Sequence, residues 1–153
     1  MEEDEYKSTY NELTSIRCVF EKALVNHQAK CRLSRHFCLA DREGYSCDNK
    51  ESSGRCCEFL EILRENSTFV LKLHEISGPL PHNMEIRVQA GGLMGLAKLV
   101  DVNAEGRSKQ PVVDDINWIL SEAQRKYGLL GNLPYSEINQ SVVQFQGRRR
   151  RKS

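Results

Sequence analysis

Between Cys31 and Cys57 the chain reads CRLSRHFCLADREGYSCDNKESSGRCC, so five of its six cysteines fall within less than a fifth of its 153 residues. Thiols at that density bind a metal or an iron–sulfur cluster, close disulfides, or pack as small apolar side chains. Each use requires Cys31, Cys38, Cys47, Cys56 and Cys57 to meet particular neighbours. No other feature restricts the fold as much.

A chain of this length buries about two thirds of the surface its unfolded form exposes, so it folds without needing covalent staples. Its N-terminus lacks a basic segment followed by an apolar run, and no stretch approaches the ~20 apolar residues of a membrane span. The expectation is a cytoplasmic protein, where thiols stay reduced and clustered cysteines lean toward metal. Lys and Arg number 22 against 21 Asp and Glu, a formal net charge of +1 that gives no global field for nucleic acid or membrane. The ends differ more than the sum suggests. Residues 1–8 form an acidic, frayed N-terminus, and residues 147–153 a basic tail carrying Arg148, Arg149, Arg150, Arg151 and Lys152.

Residues 9–146 read as one globular domain, with a Cys-rich helical part at 10–66 and a strand and helix part at 67–146. From Tyr10 to about Lys30, Leu13, Ile16, Phe20, Ala23, Leu24 and His27 recur at helical steps, with Ser8 or Thr9 as a cap and Cys18 as a packed thiol on the flank. Leu33 to Glu43 has no Gly or Pro and reads as a second helix ended by Gly44. The polar run after Cys47 argues for a loop, and Gly54 to Glu65 for a third helix with Cys56, Phe59, Leu60 and Leu63 on one face. Thr68 to Ile76 and Met84 to Gln89 suggest two strands joined through Gly78, Pro79 and Pro81. Ala90 to Val100 then reads as a short helix whose glycines serve close packing, since neither a dinucleotide fingerprint nor a Walker loop is present. Val112 to Tyr127 and Ser136 to Phe145 complete the set, with Gly128 as a C-cap. The fold class expected is mainly α (α+β), a compact helical domain with a small two-stranded β element near residues 68–89.

The spacing C-x6-C-x8-C-x8-C-C lacks the C-x2-C knuckles of zinc modules, where sulfurs sit about 2.3 Å from the ion. Iron–sulfur clusters tolerate wider spacings, and Lys30, Arg32, Arg35, Arg42 and Arg55 would stabilise thiolates beside one. An iron–sulfur cluster is therefore the cofactor expected, zinc the alternative, with Cys31, Cys38, Cys47, Cys56 and Cys57 as its ligands. His36 and His82 are secondary ligand candidates, read more simply as a solvated helix histidine and a turn residue.

No hydrolytic or general acid–base signature is visible, and the chain leans away from being an enzyme. The function expected is an accessory metalloprotein for electron transfer, sensing or assembly, working with a protein partner. The alternative is a non-enzymatic adaptor, its cysteines structural, whose Arg148–Lys152 tail contacts an acidic protein or RNA. A thiol enzyme with a cysteine nucleophile is the third reading.

Overall fold

The computed structural model describes Glu5 and residues 16–70, 82–100 and 113–145. Among these residues five helices and one sheet run in the order α1 (Glu21–Val25), β1 (Ser34–Leu39), β2 (Arg42–Cys47), α2 (Lys50–Val70), α3 (His82–Val100), α4 (Ile116–Tyr127) and α5 (Tyr135–Gln144), with a 3-10 turn at Leu130–Asn132 before α5. The class is the one the sequence suggests, mainly α with a two-stranded antiparallel element. The sheet lies elsewhere.

The strands expected near 68–89 fall on α2 and α3 where they are described, and residues 71–81 lie outside the described residues. The alternation of Met84, Ile86 and Val88 misleads because α3 runs through the centre of the molecule. Val88 to Leu96 are all buried, so this stretch has no polar face to mark a helical period. Its glycines make that burial work. A methyl on Gly91 would lie 2.7 Å from Val142 Cα, and one on Gly95 2.8 Å from Ile138 O, so α5 rests directly on the α3 backbone. Arg87 closes the pair by donating from Nε to Val142 O at 2.9 Å and on to Val143 O, at the C-terminal end of α5.

The helix expected over 33–43 is instead a β-hairpin. Ser34 to Leu39 pairs with Cys47 to Arg42, and Ala40 and Asp41 turn the corner with φ of 51° and 66°. Two left-handed residues in a row are the two-residue turn that matches strand twist, usually made by Asn-Gly. Ala-Asp hides it. Gly44, read from the sequence as a helix stop, is buried opposite Phe37, whose ring fills the space where a Cβ would stand. The polar run after Cys47 is likewise mostly helix, since Asn49 Oδ1 accepts from Ser52 N at 2.9 Å and starts α2 at Lys50.

One hydrophobic cluster joins all five helices. Phe59 of α2 lies between Phe20 and Tyr135, ring centres 6.3 Å away on each side, and Leu24, Leu63, Leu93, Leu120 and Ile138 fill in around them. Among the described residues no helix is long and apolar enough to cross a membrane.

Candidate thiol site

Four segments distant in sequence end at one small cavity. The first is Ile16–Phe20, expected as helix but extended along β2: Cys47 N donates to Ile16 O at 2.9 Å and Cys18 N to Tyr45 O at 3.0 Å. Those bonds use the backbone groups that a helix would need, so α1 begins only at Glu21, and His27 at φ 59° lies just past its end. The second is the turn at Cys31. Lys30 N donates to Val113 O at 2.8 Å and Ile116 N to Lys30 O at 2.9 Å, which holds Cys31 against the start of α4. The third is the end of β2, where Cys47 precedes the Asn49 cap of α2. The fourth is α2 itself, which carries Cys56 two turns in.

Cys18, Cys31, Cys47 and Cys56 all line a cavity of about 20 Å³, with Ser52, Ser53, Ile116 and Asn117 among the other residues of its wall. That volume holds little more than a water molecule. Among the described residues no three Cys, His, Asp or Glu side chains converge as a single ion requires; the thiols ring a space instead. None of the six cysteines is in a disulfide.

Burial sets the protonation of these thiols. It pushes Cys18 and Cys56 up to about 12 and raises Cys31 as well, and the neighbouring thiols add to each shift by mutual repulsion. Backbone donors work the other way. The N–H of Phe20 reaches Cys18 Sγ, and the N–H groups of Leu33 and Asn117 reach Cys31 Sγ, each favouring the thiolate. Ser52 and Ser53 belong to the first turn of α2 and Ile116 and Asn117 to that of α4, so two helix N-termini, each a partial positive charge, open on the same cavity. Burial thus favours the protonated form of Cys18, Cys31 and Cys56, while the amides and dipoles beside them favour the thiolate.

The structure thus brings together three of the five expected cysteines, Cys31, Cys47 and Cys56, and adds Cys18. Cys38 and Cys57 lie outside the group. Cys38 is exposed on β1, since the hairpin replaces the helix that would have faced it inward. Cys57 is exposed one step around α2 from Cys56, with its Sγ 3.7 Å from Glu61 Oε1. His36 sits on the hairpin with its ring 5.0 Å from that of Tyr45 and Nε2 3.8 Å from Glu43, and His82 is exposed at the start of α3. Of the cations expected near the thiols, Arg35 is paired with Asp48 at 2.7 Å and Arg32 with Asp115 at 3.7 Å, whereas Arg55 stands next to Cys56 on α2. The Arg148–Lys152 tail lies outside the described residues.

A second opening adjoins the first. A groove of about 350 Å³, floored by Gln89 and the Arg64–Glu85 ion pair and rimmed by Arg17, Lys22 and Cys57, shares Cys18 and Val19 with the thiol cavity. Cys18 was read from the sequence as a packed thiol outside the ligand set; it and Cys31 are each followed two residues on by an apolar residue, Phe20 and Leu33, whose N–H returns to the sulfur. No family model, curated protein or solved structure matches the chain.

Proposed function

We propose that this protein is a small cytoplasmic metalloprotein that holds an iron–sulfur cluster on Cys18, Cys31, Cys47 and Cys56 and serves a protein partner as an accessory in electron transfer, sensing or assembly. The observation that carries the reading is the meeting of four thiols from four segments around one cavity. Four cysteine ligands are what such clusters take. Zinc ligands converge on one point, and among the described residues these sulfurs do not, which disfavours the zinc alternative. The amide donors on Cys18 and Cys31, and the N-termini of α2 and α4, supply the positive potential that a thiolate-bound anionic cluster needs. The cytoplasmic location belongs to the same reading, because reduced thiols are the form that binds.

The test is purification without oxygen, followed by iron, zinc and acid-labile sulfide analysis and a visible spectrum. The expected result is iron with sulfide and a brown colour, lost in Cys18→Ser, Cys31→Ser, Cys47→Ser or Cys56→Ser and kept in Cys38→Ser and Cys57→Ser. Colourless protein with neither metal nor sulfide, or zinc alone, overturns the cluster assignment.

A further inference from the structure

We propose that the groove beside the thiol cavity binds a small organic monoanion, a carboxylate carried on an apolar body, with Lys22 and Arg64 as its charge partners. The site stands whether or not the four thiols hold a cluster. The groove encloses about 350 Å³, within the range of about 300–1,000 Å³ usual for small-ligand sites. Val19 and Leu60 give it apolar wall, and its charged lining is Arg17, Lys22 and Arg64 with Glu21 and Glu85.

Two of those cations are already matched. Arg17 Nη2 lies 2.9 Å from Glu21 Oε1. Arg64 donates from Nε to Glu85 Oε2 at 3.2 Å and from Nη2 to Glu85 Oε1 at 2.5 Å. Glu85 and Gln89 are only 4% and 3% exposed. Gln89 fixes the carboxylate by donating from Nε2 to Glu85 Oε1 at 2.9 Å, while its own Oε1 accepts from Ala23 N at 3.2 Å. This network ties α1, α2 and α3 together, and it accounts for both buried side chains of the floor.

Lys22 has no such account. It is half-buried and has no carboxylate partner among the described residues. Its stem packs as lysine stems do along apolar surface, but nothing in the fold answers its charge. Arg64 Nη1 is likewise without a hydrogen-bond partner among the described residues, on a guanidinium whose other two nitrogens are held by Glu85. Three cations against two carboxylates leave the groove one positive charge in excess, which a carboxylate matches. A phosphate monoester, at about −1.5 to −2, overshoots it. Because Cys18 lines the same groove, an occupant also covers the approach to the thiol cavity.

The full chain, kept reduced, is given a pulse of maleimide at neutral pH with benzoate, its neutral isostere benzamide, or phenyl phosphate, and labelling is read at each cysteine. Cys57 lines the groove, and Cys38, exposed on β1, is the internal standard. Benzoate at about ten times its half-saturating concentration leaves about a tenth of the grooves open, so Cys57 is expected to react about tenfold more slowly relative to Cys38. Benzamide is expected to leave Cys57 unchanged, and phenyl phosphate to protect it only at higher concentration. Lys22→Met is expected to raise the benzoate concentration for half-protection about tenfold, and Lys22→Arg to keep it near the native value. Lys22→Gln replaces Lys22→Met if the latter fails to fold, as judged by circular dichroism. No protection by millimolar benzoate, equal protection by benzamide, tighter protection by phenyl phosphate, or native protection in the neutral variant each overturns the proposal.

Discussion

Cys18 and Cys57 both line the groove over the Arg64–Glu85 pair, yet their surroundings differ. Cys57 is exposed, beside the Glu61 carboxylate, while Cys18 is half-buried, with Cys31, Cys47 and the Glu21 carboxylate as its titrating neighbours. Cys18 and Cys56 ionise at 9.0 in an unstructured chain and at about 12 in the metal-free fold. An acid whose folded value is raised adds stability that is fully present below 9.0 and is lost as pH climbs through 12, because in that window only the unfolded chain sheds the protons. Metal-free protein should therefore unfold at progressively lower urea concentration as pH rises above 9.0, and the Cys18→Ser, Cys56→Ser double variant should show a flatter profile. Parallel profiles for the two proteins would contradict this. The sequence could not distinguish these thiols. Cys18 stands 13 positions before Cys31, outside the dense run, in a stretch whose apolar spacing reads as helix until β2 is seen to take its backbone bonds.

The contact between α3 and α5 is made by absent side chains. Gly95→Val would drive a branched side chain into Ile138 O and Cα, at 2.8 and 2.9 Å from its Cβ, and should cost about 3 kcal/mol in chemical denaturation, at the upper end for overpacking. Gly54→Ala is its opposite. No atom lies within 4 Å of a Cβ there, and replacing glycine inside a helix should stabilise by about 0.5–1 kcal/mol. Equal effects at the two positions would rule out the packing role assigned to Gly95. The elements that were readable, the Gly54–Glu65 part of α2 together with α4 and α5, are those with one wet and one dry face: Phe59, Leu60 and Leu63 are buried on the first, Ile116, Ile119, Leu120 and Ala123 on the second, Ile138 and Val142 on the third. Close packing at Ala90–Val100 was also readable, from its glycines. Less readable were α3, where burial erases the period, and the hairpin, whose turn at Ala40 and Asp41 has no glycine to announce it. A left-handed pair without Gly is a tertiary outcome, set by the register of Phe37 over Gly44 rather than by turn preference.

The molecule as a whole divides its labour. Leu93, Leu96, Ile138 and Val142 build the α3–α5 contact region without any cysteine, whereas residues 16–56 and the start of α4 meet at the thiols. If the thiols hold a cluster as proposed, removing it with a chelator should raise hydrogen exchange at the amides of Phe20, Leu33 and Asn117, which donate to sulfur, and leave those of Leu93 and Val142 protected. Uniform loss of protection would instead mean that the fold as a whole depends on the site. Cys18 and Val19 form the wall that the thiol cavity shares with the larger groove, and the groove is wide enough for a small reagent to reach Cys18. If a cluster is held there as proposed, it would be dismantled in a fixed order, beginning at Cys18. Exposure of the loaded protein to air followed by a pulse of labelled maleimide would report that order as a first label on Cys18, with Cys31, Cys47 and Cys56 following once the wall has opened.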